Sequence, residues 1–178
     1  MPHKLPDAVL LILSAVLTVA MVQDAMHRKI PNTLTLAGAL TGLGLSLAPA
    51  GIGVGASCLG GMVGLLVFGF FHVHQLLGAG DAKLLSAIGF FTGFPDILGV
   101  ALCTLIAGGL LSLFWAAWRG QLRPAWANLQ AVWQQHVRKI APPAVPLPGF
   151  TPTPERLPYA IAIAAGAWWH MASPWPLF

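Results

Sequence analysis

Apolar residues fall in six long runs separated by short polar stretches: 8–23, 33–48, 52–71, 84–94, 97–118 and 158–169. A membrane-spanning helix needs about 20 predominantly apolar residues, and fewer where the bilayer thins locally. The pattern therefore predicts an all-α integral membrane protein, a polytopic bundle of about six transmembrane helices forming one domain over 1–178. The fourth run is the shortest, and its helix is expected to start below the membrane surface. The first run follows His3 and Lys4 as the core of a signal peptide would. With more apolar runs following it, a retained helix is expected instead.

Six spans place the connections 24–32, 72–83 and 119–157 on one side. These carry Arg28, Lys29, Lys83, Arg119, Arg123, Arg138, Lys139 and Arg156, eight of the 9 basic residues, and leave Lys4 opposite. Basic loops remain cytoplasmic, so both termini are expected outside. Asp7 and Asp96 then lie on the outer side. In the long third connection, Trp126, Leu129, Trp133, Val137 and Ile140 recur at helical spacing within Pro124–Ile140. This predicts an amphipathic cytoplasmic helix at the membrane interface; a helix packed on the bundle fits equally well. A Pro-rich linker, Pro142–Pro158, follows. Trp115 and Trp118 on one side, with Trp168, Trp169 and Trp175 on the other, suit two aromatic belts.

Composition sharpens this picture. Hydrophobic residues make up 57% of the 178 and charged residues only 8%, against roughly 25% charged in soluble domains. Mean hydropathy is +0.77. Such a chain could not cover a compact soluble surface with polar groups. A soluble globular enzyme, a disordered regulator and a nucleic-acid binder are all excluded. The net charge of +4 suits loops facing an anionic leaflet. Cys58 and Cys103 each lie within an apolar run and read as packing residues rather than a disulfide or zinc framework. Gly38-x-x-x-Gly42, Gly60-x-x-x-Gly64 and Gly89-x-x-x-Gly93 strip one helix face of bulk, so that backbones can approach.

Candidate chemistry is confined to two carboxylates. Asp24 ends the first run and Asp81 precedes the fourth, both at the cytoplasmic boundary, where a carboxylate is rarely kept without a partner or a task. Taken singly, each has an ordinary explanation: Asp24 could pair with Arg28 at i+4, and Asp81 with Lys83. Their settings argue for more. Gly78-Ala79-Gly80 ahead of Asp81 permits close backbone approach. After Asp24, Pro31 is expected to end the first helix, and Asn32 or Thr33 to cap the second. If the first and fourth helices pack together, the two carboxyls meet. Two such groups in reach of one another share a proton. The ionised member can then take a proton from water, while the other hydrogen-bonds to a peptide carbonyl.

Asp24-Ala-Met-His-Arg28-Lys-Ile30-Pro31-Asn32 resembles the D-x-x-x-R-x-I-P-N motif of the type IV prepilin peptidases. Gly78-Ala-Gly80-Asp81-Ala-Lys83-Leu84 is similar to their G-x-G-D-x-K-L motif, and Pro158-Tyr159 to the start of their last helix. The resemblance covers nearly the whole chain except 119–157. It implies an aspartyl endopeptidase of a bacterial inner membrane, with Asp24 and Asp81 as the catalytic pair. Gly78, Gly80, Arg28, Lys83, Pro31 and Asn32 would support that pair, and no metal or cofactor would be needed. The implied partners are the lipid bilayer and single-span prepilin or pseudopilin precursors, whose short basic leader is removed at the cytoplasmic face. The sequence holds no C-x-x-C and reaches Asp24 almost at once. It is therefore expected to be a peptidase-only form, like those of Flp-type (tad) pilus systems, without N-methylation.

Rival readings are a small ion- or proton-coupled transporter using the same acids, and a non-enzymatic subunit of a pilus or secretion assembly. Arg28 either orients Asp24 or neutralises headgroups; Lys83 either acts on Asp81 or anchors its loop at phosphates. His72-Val73-His74 has no third ligand nearby and reads as interfacial. His27, His136 and His170 carry no usable signal.

Overall fold

A computed structural model describes residues 5–74, 77–120 and 158–172. Among these residues all regular structure is helical: α1 (Asp7–His27), α2 (Asn32–Ser46), α3 (Val54–Val73), α4 (Ala79–Thr92), α5 (Asp96–Trp118) and α6 (Ala160–Ala172). The interfacial helix expected over Pro124–Ile140, the Pro-rich linker and Trp175 lie outside the described residues. The chain divides into two compact units, one made of Met1–Gly108 with Pro158–Phe178, the other of Gly109–Leu157. In the second, the described part is the C-terminal half of α5 and the turn after it. There the Arg119 guanidinium sits 5.1 Å from the centre of the Trp115 ring, a cation–π contact.

Helices α1, α3 and α5 have 21, 20 and 23 residues and are long and apolar enough to cross a membrane. Their outward faces carry Leu11, Met26, Leu66, Phe70 and Ile106, all exposed. Contiguous apolar surface of this kind belongs in lipid rather than water. The molecule is a helical membrane protein. Between the long helices come α2, α4 and α6, with 15, 14 and 13 residues.

The inward faces follow the helical period. On α1 the buried stripe is Leu13, Leu17, Ala20 and Asp24; on α2 it is Thr35, Gly38, Gly42 and Ser46. The short α4 buries most of its surface, including Leu84, Leu85, Ile88, Gly89 and Phe91. It is packed chiefly between α2 and α3.

Glycine makes this packing possible. A Cβ on Gly60 would run into the Gly89 carbonyl oxygen, and one on Gly89 into that of Gly60. Gly64 meets Leu85 in the same way, with its carbonyl oxygen 2.8 Å from an added Cβ. Two hydrogen bonds cross this seam in opposite directions. Ser57 Oγ donates to the Phe90 carbonyl at 2.7 Å, and Ser86 Oγ to that of Gly61 at 2.8 Å. In lipid, where apolar burial between helices gains little, close contact and interhelical hydrogen bonds of about 1 kcal/mol each hold helices together.

Two expectations about the α1–α2 connection need correction. Helix α1 ends at His27 because Arg28 turns left-handed (φ 52°), its N–H closing on the Asp24 carbonyl at 2.8 Å. Pro31 does not end α1; it opens α2 from the N-cap position, and no side-chain hydrogen bond caps that end. Asn32 is the first residue of α2, and its side chain is engaged elsewhere.

Candidate active site

The C-terminal end of α1 and the N-terminal ends of α4 and α6 converge. Asp24 closes the buried stripe of α1, so the helical period that points Leu13, Leu17 and Ala20 inward carries its carboxyl inward too. Its Oδ2 accepts the backbone N–H of Ala160 at 3.0 Å. Ala160 is the first residue of α6, where backbone donors lack helical partners and the helix dipole favours negative charge. Asp24 thus caps a helix 136 residues away in sequence.

Asp81 caps its own helix. It stands third in α4, and its Oδ2 accepts the N–H of Gly78 at 3.0 Å while its own N–H donates to the Gly78 carbonyl. A Cβ on Gly78 would lie 3.0 Å from that oxygen, tighter than ordinary contact. Burial pushes the Asp81 carboxyl up from its ordinary 3.8 to about 6. The Gly78 N–H pulls the other way, the charge of Asp24 raises it further, and His72 lowers it. The two carboxyls therefore sit within electrostatic reach of one another, at the outer turns of their helices. Both are mostly buried, at 7% and 8% exposure.

The two sequence motifs also touch through their lesser residues. Gly80 lies against Ile30, whose Cβ would stand 3.3 Å from an added methyl. Lys83 Nζ donates to Asn32 Oδ1 at 2.8 Å. Asn32 therefore ties α2 to α4 rather than capping α2, and Lys83 holds a protein amide. Arg28 supplies the left-handed turn after α1, and Pro31 the entry to α2.

Sequence reasoning missed the α6 contribution. Tyr159 packs its ring against buried Phe68 with centroids 6.3 Å apart, leading into the Ala160 N–H that holds Asp24. A signal existed: Pro158 just ahead of an apolar run marks a helix N-terminus, a natural seat for a carboxylate. Among the described residues no cluster of three or more His, Cys, Asp or Glu forms a metal site. His72 and His74 share the end of α3, where His72 bonds to the Leu77 carbonyl.

A helical membrane protein with two buried acids at helix ends, one within electrostatic reach of the other, is the class that fold and site define. Comparison of the sequence specifies which: the Type IV leader peptidase family matches residues 11–113, more than half of the chain and both motifs. The chain belongs to this family, a family of peptidases. A prepilin leader peptidase/N-methyltransferase from Pectobacterium carotovorum subsp. carotovorum is 29% identical over 116 residues, covering 61% of this chain. That match spans 42% of the relative, less than half of its length. No solved structure matches the chain.

Proposed function

We propose that the chain is a membrane-embedded aspartyl endopeptidase, which removes the short basic leader of prepilin- or pseudopilin-like precursors. The observation that carries this reading is the pairing of Asp24 and Asp81. Two buried carboxyls from different helices, each held by an N–H at a helix N-terminus, lie within electrostatic reach of one another; burial first, and the charge of Asp24 after it, raise Asp81 to about 6. Family membership supplies the reaction class.

The pair titrates as a unit. Its ionised member takes a proton from water, and the water oxygen attacks the scissile carbonyl carbon. The protonated member hydrogen-bonds to the carbonyl oxygen and stabilises the charge that develops there. Collapse of the tetrahedral intermediate breaks the C–N bond, and the leaving amine takes up a proton from the pair. An apolar substrate helix arriving beside Asp81 adds to its desolvation and favours the proton-sharing state.

The supporting residues act through geometry. Gly78 and Gly80 let α4 begin tight against Asp81 and Ile30, Pro31 sets the start of α2, and the Lys83–Asn32 bond locks the two motifs together. Arg28 ends α1 immediately beyond Asp24.

The same reading makes the six apolar runs the spans of an inner membrane, with both termini outside and the site at the cytoplasmic face, Asp24 and Asp81 lying just outside the runs 8–23 and 84–94. The charge distribution of the connections supports that orientation. At 1.5 Å per residue, α2, α4 and α6 reach only about 20–23 Å, which favours a locally thinned bilayer that admits water to the pair. Acids at helix ends suit hydrolysis at a membrane boundary better than transport through the midplane. The two cysteines, Cys58 and Cys103, stand on different helices and form no C-x-x-C, so hydrolysis without N-methylation is part of the proposal.

Co-expression with a prepilin precursor, followed by mass measurement, tests this. The precursor should lose its leader and gain no methyl group, and Asp24→Asn or Asp81→Asn should abolish the change while leaving membrane insertion intact. Full processing by the Asp81→Asn protein would refute the mechanism. A methylated product would refute the peptidase-only part alone.

A further inference from the structure

Asp81 owes its orientation to one peptide group. The N–H of Gly78 reaches its Oδ2 at 3.0 Å, and the other end of that same peptide is the Leu77 carbonyl. In a trans peptide the C=O and N–H point in opposite directions, so whatever holds the carbonyl also aims the N–H. His72, in the last turn of α3, places Nδ1 3.0 Å from Leu77 O. A carbonyl oxygen can only accept, which puts the imidazole proton on Nδ1. The connected path is His72 Nδ1–H to Leu77 O, through the peptide, and Gly78 N–H to Asp81.

A peptide followed by glycine turns over easily, because glycine tolerates backbone angles closed to other residues. A flip here would point the carbonyl oxygen at the Asp81 carboxylate and take the Gly78 N–H away from it. We propose that His72 is a positioning residue for Asp81: its Nδ1–H pins the Leu77–Gly78 peptide so that the N–H faces the carboxylate. A donor on the carbonyl also polarises the peptide and strengthens the N–H bond at its far side.

The surroundings fit this role. His72 is exposed at the rim while Asp81 is buried, so the imidazole reaches Asp81 through the peptide. Among the described residues, the ionisable groups that act on or feel the carboxyl are Asp24 from α1, His72 from α3 and Tyr159, the residue just ahead of α6. On α4 itself Lys83 is bonded to Asn32. Beside His72 on its own helix, the His74 ring stacks edge-on against Phe70 at 4.5 Å. His72 thus has two separable effects on Asp81, orientation through the peptide and a charge that lowers its proton affinity.

The inference rests on the reading of Asp81 as a catalytic carboxyl, and the experiment separates the two. In the full-length protein in membranes, leader removal is measured for wild type, His72→Phe, His72→Asn and Asp81→Asn, with kcat, KM and the pH profile of kcat/KM. His72→Phe removes both effects; it should lower kcat roughly tenfold with little change in KM. His72→Asn places an amide N–H near the position of Nδ1–H and should return kcat to within about threefold of wild type. In both variants the alkaline limb of the profile should move to higher pH, further for Phe, because influences that lower the Asp81 pKa are lost. Wild-type kcat and an unmoved limb in His72→Phe overturn the role of His72. Normal processing by Asp81→Asn overturns the functional reading instead. If His72→Phe inserts poorly, His72→Ala takes its place, and wild-type kcat in that variant overturns the proposal.

Discussion

At its N-terminal end α4 presents Asp81 and Lys83 to polar partners on its own loop and on α2. About two turns later Gly89 lies backbone to backbone against Gly60, with Ser57 and Ser86 bonding across the same seam. One end gives up packing in order to hold charge, and the other gives up side chains in order to pack. The close-packed end fixes where α4 sits between α2 and α3. Because a helix is stiff over 14 residues, that placement carries through to Asp81. The seam is thus a foundation for the site, and the two ends should fail differently when altered.

The sharpest test of that difference is chemical. Asp81→Asn keeps an acceptor for the Gly78 N–H but cannot share a proton. Leader removal should fall by roughly three orders of magnitude or more, as when a member of a catalytic unit is lost, with the thermal midpoint nearly unchanged. Gly89→Val should do the reverse: its Cβ meets the Gly60 carbonyl, and overpacking of this kind costs about 1–3 kcal/mol or more. Melting in detergent should show the loss, and activity per folded molecule should change far less than in Asp81→Asn. Gly69, whose added Cβ would meet nothing within 4 Å, supplies the control. Gly69→Ala should gain about 0.5–1 kcal/mol from helix propensity.

Acidity separates the ends again. The fold lifts Asp81 from 3.8 to about 6, so in that window the folded protein binds more protons than the unfolded one. The contribution of this group to stability should therefore fall as pH rises through the window and level off above it. Asp81→Asn should remove that dependence, whereas Gly89→Val should leave it in place. The kcat/KM of the wild type should decline as pH rises beyond about 6. The smallest effect is expected at the rim of the site. Lys83→Met breaks the exposed bond to Asn32, a loss of about 0.5–1.5 kcal/mol. A few-fold fall in activity with a slight fall in midpoint would place that bond between the two ends in character.

Much of this site was legible before any coordinates. Apolar run lengths announced the helices, and charge scarcity announced the membrane. Asp24 and Asp81 stood out as acids at the margins of apolar runs, framed by residues that shape backbone. The glycine spacings pointed to close helix contact. The partners were not legible. Asn32 has the chemistry of an N-cap, but an amide bonds to whichever group the fold delivers, and here that is the Lys83 ammonium. His72 gave no local sign of its partner, because the Leu77 carbonyl lies five residues on, beyond the end of α3. The cap on Asp24 comes from Ala160, across a separation that no local pattern spans.

Local chemistry thus determined which segments are helical, which faces carry small or apolar side chains, and which two acids stand among backbone-shaping residues at helix ends. These follow from properties each residue has with its near neighbours: period, bulk, and the cost of charge beside lipid. Tertiary structure alone decided that Asp24 and Asp81 come within electrostatic reach of one another, that α6 caps the first with an N–H, and that the Gly78 N–H meets the second. Those outcomes depend on how helices cross and how deeply each glycine lets its neighbour in, which are properties of pairs of helices and are written in neither one.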